Sequence, residues 1–263
     1  MPSTKPERET ATIELQMQIA GEEVRFQVTI PSGPATWEDL LPFMRSLVGV
    51  ANQIAEERNA AMGRSVSCQA GCGVCCRQCV PIAEFEARHL LNVIDEMPEP
   101  RRSVIRSRFE DAAARLRAAG RFQDQESLGG MTPDQLIDYS REYFKLMIPC
   151  PFLEDESCSI HQERPLKCRE HLVSSPAAYC ADPENQPVTV IPLPMNVSRA
   201  TLQLGYDSED AGAQWLPLTS LLAWSETARP VTPNSSGPEL LQMFMQTLAN
   251  KPATGAGTPR GRA

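Results

Sequence analysis

Nine cysteines occur in this chain of 263 residues, and their placement constrains the fold more than any other feature. Five lie between Cys68 and Cys79, four lie between Cys150 and Cys180, and the rest of the sequence has none. The first cluster reads Cys68-Gln-Ala-Gly-Cys72-Gly-Val-Cys75-Cys76-Arg-Gln-Cys79, so that Cys72 and Cys75 form one CxxC and Cys76 and Cys79 a second. Two residues between thiolates let a tight turn aim both sulfurs at one ion about 2.3 Å away. Gly71 and Gly73 suit such a turn, because glycine reaches positive φ and keeps the backbone from crowding a metal. Neighbouring cysteines 75 and 76 are expected to point differently and to divide roles between them.

The second cluster runs Cys150-Pro-Phe-Leu-Glu-Asp-Glu-Ser-Cys158-Ser-Ile-His161, then Arg164-Pro165-Leu-Lys-Cys168-Arg169-Glu-His171, with Cys180 last. A metal shared between the clusters ties two distant segments together. Four thiolates around one divalent cation leave about two negative charges. Arg77, Arg164, Lys167 and Arg169 are placed to offset that charge and to lower the thiol pKa values. A free cysteine is also a small buried hydrophobe, and an isolated one is read that way first. The CxxC spacing reverses the reading for Cys68, Cys72, Cys75, Cys76, Cys150, Cys158 and Cys168; Cys79, Cys180, His161 and His171 are weaker candidates.

The rest of the chain supplies the frame. Ile13, Leu15, Met17 and Ile19, then Val24, Phe26, Val28 and Ile30, alternate with polar residues on either side of Ala20-Gly21-Glu22-Glu23, which predicts a β-hairpin. Asp39 is read as the N-cap of an amphipathic helix to about Met62, with Pro42 at its third position. Helices follow at about 83–96 and 101–119, separated by Pro98 and Pro100, and from Thr132, with a Gln135 capping box, to about Met147. Val188, Val190 and Ile191 suggest a short strand, and residues around Trp215–Thr227 and Pro238–Ala249 read as helical. The expected class is mainly α (α+β). Its parts are a flexible leader at 1–10, a hairpin at 11–35, a helical domain at 36–250 with a cysteine-rich metal core in two loops, and a flexible tail at 251–263.

Composition narrows the setting. A hydrophobic share of 41% argues for a globular chain, and no apolar run approaches the roughly 18 residues of a membrane span. The leader MPSTKPERET has no charged stretch followed by an apolar block, so a cytoplasmic, reducing location is expected, where clustered cysteines serve metal or redox chemistry. A net charge of -8 gives no support to a nucleic-acid partner. Against that balance, seven arginines crowd residues 101–121 (101, 102, 106, 108, 115, 117 and 121). They form either a solvated face or a surface for an acidic protein partner or phosphate. His89 reads as a surface or core histidine, and Glu154, Asp155 and Glu156 as an exposed turn.

The combined pattern CxxxCGxCC, then CPFL, CSI and RPxxCR, resembles the YkgJ-family cysteine-cluster proteins, described as a zinc- or iron-chelating domain. The resemblance covers about Cys68 to Cys180. It implies that the seven cysteines named above are shared positions, with Pro165 and Arg169 in the RPxxCR element. His161 stands where the family usually has Tyr, and His171 where an aromatic is common. Relatives by motif include flagellin lysine N-methylases, which pair an iron–sulfur cluster with S-adenosylmethionine.

Three functions therefore compete: a zinc- or iron-binding protein, with a [4Fe-4S] cluster among the metal forms; an iron–sulfur enzyme, such as an S-adenosylmethionine-dependent N-methylase; and a metal chaperone or thiol-redox protein using Cys76 and Cys79 beside Arg77. Cys68-x3-Cys72-x2-Cys75 matches the spacing of radical S-adenosylmethionine enzymes, yet no repeated βα pattern for a barrel surrounds it.

Overall fold

Strict alternation of apolar and polar residues produces the first element. In a computed structural model, which describes residues 8–121, 131–204 and 215–249, β1 (Thr10–Ile19) pairs antiparallel with β2 (Glu22–Pro31). The turn is two residues long, Ala20 and Gly21, at φ 54° and 91°. Positive φ at both central positions matches the right-handed twist of the flanking strands. The leader and tail expected at the two ends fall mostly (1–7) or wholly (251–263) outside the described residues.

The hairpin is not packed apart from the helices. Ile19, Val28 and Ile30 share one apolar core with Trp37, Leu40, Met44, Leu47 and Phe244. A 3-10 turn, Trp37–Leu40, leads into α1 (Leu41–Ala61). Asp39 lies within that turn rather than capping a helix: its carboxylate accepts the Thr36 N–H at 2.9 Å, and Arg8 binds its two oxygens. The Thr36 backbone is extended, which moves the true start three residues upstream of the expected cap.

β4 (Pro81–Ala83) enters α2 (Glu84–Asp95), and α3 (Arg101–Ala118) follows the two prolines, as the sequence predicts. In α4 (Pro133–Lys145) the Thr132 hydroxyl accepts the Gln135 N–H and the Gln135 side chain accepts the Thr132 N–H, forming the expected capping box. A two-residue ladder joins β5 (Leu153–Glu154) to β6 (Ser157–Cys158), and α5 (Leu166–Arg169) is a single turn. Val188–Ile191 forms no strand; Val190 makes one bridge, to Val173. α6 (Val197–Thr201) comes next.

The segment read as helical from Trp215 begins instead as β7 (Trp215–Pro217), paired with β4, and turns helical only in α7 (Leu221–Ser225). At the end, β8 (Ser235–Ser236) pairs with β3 (Pro34–Ala35) and leads into α8 (Gly237–Ala249). Two further apolar clusters complete the frame. One joins α2, α3, β4 and β7 to Phe152 and Ile160, and the other packs Ala112 and Leu116 against Tyr139, Tyr143 and Ile148. The class is α+β. Among the described residues no helix is long and apolar enough to cross a membrane.

Candidate metal centre

All nine cysteines line one cavity of about 470 Å³. The cysteine-rich segments are short helical turns and ladders more than loops. Cys75 and Cys76 sit in a 3-10 turn, Val74–Arg77; Cys158 ends β6; Cys168 lies in α5; and Cys180 lies in a second 3-10 turn, Ala177–Ala181. His161 and His171 also line the cavity, the first exposed and the second half-buried with its Nε2 buried and without a hydrogen-bond partner.

Backbone hydrogen bonds bring the two clusters together. The Ser67 N–H donates to Val173 O at 2.8 Å, and the Cys150 N–H to Cys76 O at 2.7 Å. Of the two glycines expected to shape the first cluster, only Gly71 has positive φ, 85°. Gly73 is needed for closeness instead: a Cβ there would meet Glu156 Oε2 and Leu153 Cδ1 at 2.7 Å. Arg77 clamps the same contact, with both guanidinium nitrogens on Glu156 at 2.9 and 2.6 Å and one of them also on Gly73 O.

Two buried carboxylates that sequence reasoning missed hold α5. Glu86 accepts the Leu166 N–H at 2.8 Å and the Ala83 N–H at 3.1 Å, while Glu170 accepts the backbone and hydroxyl of Ser198. Together they fix both ends of the turn that carries Cys168. Glu86 had one sequence signal, its position three residues after the residue preceding α2, but Ala83 offers none of the side-chain capping that makes such a pattern recognisable. Arg169 of the RPxxCR element donates to the carbonyls of Arg164 and Gln162, so it folds the loop before Cys168. His89 bonds Glu163 at 2.6 Å, beside Arg45, and does not line the cavity.

The thiols are not equivalent. Cys75 and Cys76 sit side by side in their 3-10 turn, and each thiol shifts the other. The adjacent Cys76 thiol brings Cys75 down to about 7, aided by a backbone N–H and Arg164 and opposed by burial. Cys76 is correspondingly pushed up. Burial raises Cys68, Cys158, Cys168 and Cys180, and takes Cys79 and Cys150 to about 12. Arg164 opposes the rise at Cys68 and Cys158. Arg164 and Lys167 both line the cavity, and the Arg164 Nε is buried without a hydrogen-bond partner. Cys79 also packs against the cluster of Tyr139 and Tyr143, the setting of an apolar thiol.

Among the described residues, no three His, Cys, Asp or Glu side chains are arranged to hold a single ion. The donor set itself fits soft metals, since thiolates select zinc and iron–sulfur clusters. Comparison of the chain with protein-family models, with curated proteins and with solved structures finds no match.

Proposed function

We propose that the chain is a thiolate metal-binding protein of the YkgJ type that holds zinc or iron in the cavity between the two cysteine clusters. The observation that carries this reading is the convergence on one cavity of every cysteine in the sequence, from segments separated by 70 cysteine-free residues. Apolar packing alone supplies no reason for all nine to gather there while three separate apolar clusters fill the frame with Leu, Ile, Val and aromatic residues. The YkgJ assignment rests on the motif from Cys68 to Cys180. A buried set of thiols with raised pKa values releases protons when it binds metal, and the binding energy then stabilises the fold.

A cavity of about 470 Å³ exceeds what one ion needs and lies in the size range of small-molecule sites. It favours, as the second reading, an iron–sulfur enzyme in which substrate enters beside the cluster, as in an S-adenosylmethionine-dependent N-methylase. Purification without oxygen, followed by elemental analysis and visible absorption, tests both. Stoichiometric zinc in a colourless protein supports the closed site; iron with acid-labile sulfide in a brown one supports the cluster. A reduced protein that carries neither metal and takes up neither on reconstitution would sink the proposal.

A further inference from the structure

The sulfurs around the cavity fall into two sets. On one side, the bond from Ser67 to Val173 lays the strand-like segment of Cys68 along residues 171–173, and the Cys68 thiol faces His171 O at 3.9 Å. The turn carrying Cys180 packs there against the turn carrying Cys75. On the other side, the Cys150 N–H is bonded to Cys76 O, and Cys150 O accepts the Leu153 N–H at 2.9 Å. Pairing of Leu153 with Cys158 then returns the chain to the same place, and α5 adds Cys168.

Electrostatic neighbours divide the same way. Cys75 aside, Cys180 feels Cys68 and Cys72; Cys76 feels Cys150 and Cys168; Cys168 feels Cys150 and Cys158. Cys75 is felt by Cys68 and Cys180 on one side and by Cys76, Cys150, Cys158 and Cys168 on the other, and it adjoins Cys76 in the same 3-10 turn, so the two sets meet at this dipeptide. Cys79 has the tyrosine cluster for company.

We propose that the cavity holds two adjacent metal centres, one bound by Cys68, Cys72, Cys75 and Cys180 and the other by Cys76, Cys150, Cys158 and Cys168. The inference rests on the thiolate reading above and deepens it. Four thiolates complete a tetrahedral ion or the corners of one cluster, and a single centre would leave four more thiols gathered for no ligand. Cys180, outside the seven shared positions, becomes an obligatory ligand, and Cys79 becomes the ninth, structural cysteine. Two tetrathiolate centres of a divalent ion carry about four negative charges in simple summation. Arg164 lies within electrostatic reach of Cys68, Cys75 and Cys158, members of both sets, and offsets part of that charge.

Cadmium provides a probe that counts centres directly. The full chain, reduced and stripped of metal, is titrated with Cd²⁺ enriched in the NMR-active isotope, and bound cadmium is measured by elemental analysis. The expected result is two tetrathiolate resonances and two cadmium ions per chain. The double variant Cys72→Ser, Cys180→Ser keeps one resonance, and Cys158→Ser, Cys168→Ser keeps the other. One ion and one resonance in the wild type overturns the two-centre arrangement while leaving the thiolate site standing, as does a folded double variant that loses both. No bound cadmium at all overturns the thiolate reading itself. Where a variant does not fold, the wild-type count decides.

Discussion

Glu86 is a buried carboxylate with no cation bonded to it among the described residues, held by two backbone N–H groups that it in turn holds in place. Burial raises it from 4.5 to about 7, against the pull of those two hydrogen bonds. For an acid raised in the folded state, its contribution to stability is complete below the unfolded value and is lost as pH rises through the folded one. Between pH 4.5 and about 7 the wild type should therefore lose on the order of 3 kcal/mol relative to Glu86→Gln, which cannot titrate. Urea unfolding of both proteins across that range measures the difference; parallel curves would show that Glu86 does not titrate there. Cys79 makes a related point at this scale. It lines the cavity and also packs against Tyr139 and Tyr143, neighbours that no local spacing reveals.

Among the elements, the arginine-rich helix shows how a surface reading depends on partners far away in sequence. Arg101 and Arg108 reach Glu154, Arg106 reaches Asp95, Arg102 reaches Glu99, and Arg121 reaches Glu142. These arginines lace α3 and its flanks to the second cysteine segment, to the α2–α3 connection and to α4. Each exposed pair contributes little by itself. Closer packing governs the other end of the chain. A Cβ on Gly237 would overlap the carbonyl oxygen of Pro31, so α8 approaches β2 only through a residue without one. Gly237→Ala should cost about 1–3 kcal/mol, the range for overpacking a site whose neighbour is backbone and cannot swing aside. A urea midpoint equal to that of the wild type would contradict this close approach.

Across the whole molecule, the cysteine cavity and the hairpin core draw on separate apolar clusters. The core of Trp37, Met44, Leu47 and Phe244 contains no cysteine, whereas Cys150 and Cys158 pack against the cluster of Phe109 and Phe152. On the proposed metal-binding reading, treatment with a chelator should lower the melting temperature and speed amide exchange in residues 66–80 and 150–181, while β1, β2 and α1 keep their protection. Uniform loss of protection over both regions would instead make the metal a staple for the entire fold.

The hairpin, α1, α2, α3 and α4 were legible in the sequence because each follows a local period or a capping pattern. The two cysteine clusters were legible as candidate ligands for a similar reason, since ligand spacing on a turn is a local property. What the local pattern missed depends on partners distant in the chain. β7 exists because β4 lies beside it, and Asp39 joined a turn because Thr36 and Arg8 reach it. Glu86 matters because Leu166, eighty residues later, needs an acceptor. The sequence by itself determined where the thiols stand along the chain, in two clusters with ligand-like spacing. Only the tertiary structure decided that all nine cysteines line one cavity and in which neighbourhoods they stand, because that follows from how three apolar cores pack the segments together.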